Sequence, residues 1–77
     1  MEMLKIDGFD DAIIGRANVW KSNTLVDTMI YSGEKMVRLM EERDGMTEEE
    51  ALEYIDFNIE GAYVGPATPI IVWEYYE

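Results

Sequence analysis

The chain of 77 residues carries 17 acidic and 6 basic side chains, a formal net charge of −11, and neither cysteine nor histidine. That length allows a single domain, residues 1–77; the missing cysteine excludes disulfide scaffolds, thiolate-held zinc or iron–sulfur centres and thiol nucleophiles, and the missing histidine removes the commonest general base and metal ligand. An apolar share of 48%, spread along the whole chain, argues against disorder, although a domain this small buries only about 60–65% of its unfolded surface and has a thin core.

Asp7-Gly8 marks an early turn, and Leu4-Lys5-Ile6 before it adds a short leading strand. Ala12 to Val19 is rich in β-formers at its start but contains Gly15, which predicts a strand that bulges near that glycine. Leu25 to Tyr31 is a second β-rich run. The polar interruption Trp20–Thr24 between them is only about five residues, so the two runs pair as an antiparallel hairpin.

The period then changes from two to about 3.6. Ser32 is the expected N-cap of a short helix through Arg43, with Met36, Val37 and Met40 on one face, Leu39 beside them and Gly45 as its left-handed stop. Thr47-Glu48-Glu49-Glu50 is a capping box: the Thr47 hydroxyl accepts from the Glu50 amide and the Glu50 carboxylate reaches back to the Thr47 amide. The helix it opens is expected to run to about Tyr63, burying Ala51, Leu52, Ile55, Ile59, Ala62 and Tyr63, and to end at Gly65-Pro66. Gly61 costs such a helix about 1 kcal/mol relative to alanine, which points to close packing there or an earlier end. Pro69 then sets the entry of a last strand through Tyr75. The order β-β-α-α-β predicts an α+β fold in two layers, a small antiparallel sheet packed against two helices.

Charge is segregated along the chain. Residues 1–43 hold eight acids and all six bases, net −2, whereas residues 44–77 hold nine acids and no base. Three readings fit that asymmetry: a solvated face, a surface complementary to a basic partner, or tolerance of high salt. Glu49, Glu53, Asp56 and Glu60, spaced 4, 3 and 4 residues apart, form one helical stripe of about 16 Å. Duplex DNA carries a charge per about 1.7 Å of axis, or 3.4 Å per strand, so the stripe alone is too sparse to imitate a duplex. Glu48 and Glu50 bring it nearer the density of one strand. Like-charge neighbours on the stripe repel, and no basic residue in this half relieves them.

The net charge opposes direct binding to nucleic acid or to anionic lipid. No membrane span of eighteen apolar residues and no secretory signal is read in the chain, so a soluble intracellular protein is expected. Catalysis has little to work with, because the serines and threonines lack a histidine to activate them and no lysine sits in an apolar setting. A non-enzymatic protein without cofactor is therefore the expectation. Asp7, Asp10 and Asp11 around Gly8-Phe9 form a candidate ligand or divalent-cation site, but the spacing of an EF-hand is absent and Asp/Gly clusters also build turns. Trp73 and Tyr75 fall on one face of the last strand and Tyr76 on the other, and they are candidate interface aromatics, for a homodimer among other partners, if one of those faces is left uncovered by helices.

Two stretches resemble a family of small proteins found mostly in tailed-phage genomes: Asp7-Gly8-Phe9-Asp10-Asp11-Ala12-Ile13-Ile14-Gly15, and Asp44-Gly45-Met46-Thr47 through Phe57-Asn58-Ile59-Glu60-Gly61-Ala62-Tyr63-Val64-Gly65, followed by Thr68-Pro69-Ile70. They cover over half the chain, and the segment from Arg16 to Leu25 matches nothing in the pattern. The resemblance implies a virus-encoded accessory protein acting in the host cytoplasm and brings no catalytic residues with it. Its glycines suit turns and tight approaches, while Asp10 and Asp11 are least explained by packing. Joined to the acidic second half, the resemblance leads to the expectation of a protein that binds a basic host or phage protein and blocks its nucleic-acid groove as a DNA mimic would. A small-ligand or cation-binding module and a structural homo-oligomer are the alternatives.

Overall fold

The computed structural model describes residues 4–60 and 67–74, the Glu60 side chain excepted. In chain order they form a 3₁₀ turn (Asp10–Ala12), β1 (Ile13–Lys21), β2 (Thr24–Ser32), α1 (Gly33–Asp44), α2 (Glu48–Ile55), a π-helical turn (Asp56–Glu60) and β3 (Ile70–Val72). The fold is α+β, with a three-stranded sheet ordered β1-β2-β3 and two helices.

β1 and β2 are antiparallel, and the pairing slips between Ile13 and Gly15, so the bulge falls where the glycine predicts it. The hairpin is tighter than the expected five-residue connection. Lys21 pairs with Thr24, and only Ser22 and Asn23 make the turn, both with positive φ (48° and 66°). Two consecutive left-handed residues match the right-handed twist of the flanking strands, which lets the ladder continue through Trp20 and Leu25.

The sheet is not purely antiparallel, as the sequence led us to expect. β3 runs parallel to β2, with Ile30, Tyr31 and Ser32 opposite Ile70, Ile71 and Val72. Parallel neighbours require a long crossover, and here both helices lie between β2 and β3 and supply it. The leading strand over Leu4–Ile6 is also absent. The Ile6 amide donates instead to the Tyr31 hydroxyl (2.8 Å), and the chain turns at once through Gly8, whose φ is +84°.

Both helices start as their caps dictate. The Ser32 side chain accepts from the Lys35 amide, and the Thr47–Glu50 box is complete, at 3.1 Å from the Glu50 amide to Thr47 Oγ1 and 2.9 Å from the Thr47 amide to Glu50 Oε1. α1 stops at Gly45, left-handed with φ +68°. α2 leaves α-geometry after Ile55 and widens into the π turn. Its expected course to Tyr63, with Gly61, Ala62 and Gly65-Pro66, lies outside the described residues beyond Glu60.

Phe9, Ala12, Tyr31, Met36, Val37, Met40, Ala51 and Ile55 are buried together, and Met29, Leu39, Ile59, Ile71 and Trp73 pack against them. Leu52, expected in the buried stripe, is 38% exposed and lies beside a groove between the helices instead. Trp73 follows β3 and rests on the first residue of α1: a Cβ added to Gly33 would lie 2.5 Å from Cδ2 and Cζ3 of the indole. Only glycine leaves that space.

Gly33→Ala is expected to destabilise the fold by about 1–3 kcal/mol through forced repacking, although alanine is the better helix former. Urea unfolding followed by circular dichroism checks this, and the cost should shrink in a Trp73→Leu background. Replacing Ser22-Asn23 by Asn-Gly should stabilise by about 0.5–1 kcal/mol, a rise in Tm of several degrees, because both positions then hold residues suited to positive φ.

Candidate functional site

α2 carries the acidic surface. Glu48, Glu49, Glu53 and Asp56 are all exposed; Glu49, Glu53 and Asp56 lie on the side of the helix away from the buried Ala51 and Ile55, whereas Glu48, one turn before Leu52, lines a groove against α1. At about 1.5 Å of rise per residue, Glu49 and Asp56 lie about 10 Å apart along the axis. Glu50 is also exposed, but its carboxylate is engaged in the capping box. The Glu60 side chain lies outside the described residues, and the π turn preceding that position no longer keeps the 3.6-residue period on which the fourth member of the stripe depended.

Among the described residues the one ion pair is between Arg43 and Asp44. None of the described α2 carboxylates is in an ion pair with a described basic side chain. Beside them lie two aromatic rings, Tyr54 at 41% and Phe57 at 80% exposure. With Glu50, Glu53 and Asn58 they line a shallow depression of about 290 Å³. Reading the sequence did not single out these rings, yet a signal was there: Phe57 falls between Ile55 and Ile59, two residues from each, and a helix turns it away from the core.

The three aspartates near the N-terminus are exposed but do not converge. Among the described residues no group of three or more acidic side chains could hold a metal ion. Their segment has a structural explanation. Phe9 is 5% exposed and anchors the turn in the core, while the Arg43 guanidinium lies 5.2 Å from its ring centroid and donates from Nη1 to the Gly8 carbonyl (2.6 Å). Asp10 and Asp11 open the 3₁₀ turn, and Asp7 precedes Gly8.

The same guanidinium donates from Nε and Nη2 to both Asp44 carboxylate oxygens (3.1 and 3.0 Å). That hydrogen bond, aided by the adjacent positive charge, holds the Asp44 carboxyl below the usual carboxylate range and raises the Arg43 pKa in turn.

Of the candidate aromatics, Trp73 is partly buried over Gly33, and Tyr75 and Tyr76 lie outside the described residues. A different exposed apolar pair stands on the hairpin, where Trp20 (70%) faces Leu25 (48%) across the ladder. Two further grooves are open. One, of about 330 Å³, is lined by the apolar Leu4, Ile6, Ile59 and Pro69 together with Lys5, Asn58 and Thr68. The other, of about 340 Å³, runs between α1 and α2.

No helix among the described residues is long and apolar enough to cross a membrane. No protein-family model, curated protein or solved structure matches the chain.

Arg43→Gln is expected to return the Asp44 carboxyl upward toward its ordinary value in a ¹³C-detected NMR titration. Because the folded value is depressed, the contribution of this contact to stability stands at neutral pH and fades as the pH falls through the folded value; Arg43→Gln should flatten that part of the stability–pH curve.

Proposed function

We propose that this protein is a non-enzymatic, phage-encoded accessory protein that works in the host cytoplasm by binding a host or phage protein through the acidic face of α2. The observation that carries the reading is the exposed row Glu49, Glu53 and Asp56, in no ion pair among the described residues and flanked by the exposed Tyr54 and Phe57. Unneutralised carboxylates steer a basic protein to the surface, and exposed aromatic rings supply the desolvated contact that charge alone lacks. The partner is a basic, nucleic-acid-handling protein whose groove the acidic helix occupies. A net charge of −11 keeps nucleic acid itself away.

Retention of host or phage proteins on the immobilised chain at low and high salt tests this. A captured basic partner should be released as salt rises. Glu49→Lys with Glu53→Lys should weaken binding by at least about tenfold, since each reversal turns an attraction into a repulsion, and Phe57→Ala should weaken it without changing the salt dependence. Circular dichroism should show all three substitutions folded. Capture of no partner, or of one indifferent to salt and to the reversals, overturns the reading. The exposed Trp20–Leu25 pair favours a second reading, a homo-oligomer, which sedimentation at rising concentration would reveal as an increasing mass.

A further inference from the structure

The groove between the helices has a composition of its own. One face of α1 contributes Glu34, Val37, Arg38 and Glu41, at spacings of three, one and three residues, and α2 contributes Glu48 and Leu52, one turn apart; Trp73 closes it at the sheet end. At about 340 Å³ it falls within the range of small-ligand sites. Val37, Leu52 and Trp73 make an apolar channel, and three carboxylates stand on its two walls against one arginine. Glu34 and Glu41 are about 10 Å apart along α1, with Glu48 on the facing helix. None of these four charged groups is in an ion pair among the described residues.

We infer that this groove takes the arginine side chain of a basic partner. An arginine has an apolar stem that suits the channel walls and a planar guanidinium with five donors, which can engage carboxylates on both walls at once. A lysine ammonium offers a compact charge without that fork, so it fits the two-walled arrangement less well. Arg38 is the one like charge at the site and opposes the guest. The inference rests on the reading of the protein as a binder of basic partners, and it locates an anchor distinct from the Glu49–Glu53–Asp56 row.

The test titrates the ¹⁵N-labelled protein with N-acetylarginine amide, using N-acetylcitrulline amide as the uncharged isostere and N-acetyllysine amide as the second cation. For about fifteen non-hydrogen atoms a Kd of about 1 mM is the expected scale. Amide shifts should concentrate on residues 34–41 and 48–52 together with the Trp73 indole N–H. The lysine compound should bind several-fold more weakly and the citrulline compound not measurably. Glu41→Gln and Glu48→Gln should each raise Kd about three- to tenfold, and Arg38→Gln should lower it about threefold. Glu49→Gln, Glu53→Gln and Arg16→Gln change the net charge by the same amount outside the groove and should stay within about twofold of the parent. Equal binding of citrulline, shifts centred elsewhere, or equal effects from the outside variants would overturn the groove assignment. Partner capture that is salt-sensitive but unmoved by Glu41→Gln and Glu48→Gln would leave the acidic α2 face as the binding surface and remove only the arginine groove. Arginine binding in the groove with no partner captured would remove the proposed function and leave the site.

Discussion

The contact between Gly33 and Trp73 is the constraint on which the arrangement depends. β2 ends at Ser32, α1 begins one residue later, and β3 returns beside β2 only after both helices have passed. The indole following β3 therefore meets the first residue of α1, and the absence of a side chain at Gly33 lets the two come together. Because Ser32 both closes β2 and caps α1, the strand and helix are joined without a loop between them, and Trp73 fastens the returning strand to that junction. A core with few buried side chains gains much from one large ring placed there.

A second fastening lies at the other end of α1. Arg43 reaches three different features, the Gly8 carbonyl, the Phe9 ring and the Asp44 carboxylate, and so holds the N-terminal turn against the helix. This places the chain's basic residue nearest in sequence to the acidic half in a structural role. α2 follows almost immediately, and its carboxylates are in no ion pair among the described residues. The first turn of that helix tolerates Glu48, Glu49 and Glu50 because the positive end of the helix dipole and the capping box favour them; Glu53 and Asp56 lie farther along and gain less from it. Those two positions, with Tyr54 and Phe57 around them, are the part of the acidic surface for which the stability of the helix provides the weakest explanation.

Much of the architecture was legible in the residues. The Ser32 cap, the Thr47–Glu50 box, the stop at Gly45 and the bulge at Gly15 each follow from contacts within a few residues, and such contacts survive whatever the rest of the chain does. The hairpin was legible for the same reason, although its turn was not, since Ser22 and Asn23 do not announce two consecutive left-handed residues as Asn-Gly would. The acidic stripe could be read in its first three members. The convergence of Asp7, Asp10 and Asp11 could not be judged from spacing, because separation in space depends on how Phe9 enters the core.

By itself the sequence determined the hairpin, the two helices and the last strand in their order, the helix caps and the concentration of negative charge in the second half, all set by local hydrogen bonding and composition. Only the tertiary structure decided that β3 lies parallel to β2 and that Leu52 faces a groove rather than the core. Both depend on packing between segments far apart in the chain, where periodicity specifies an apolar face but leaves open what will cover it.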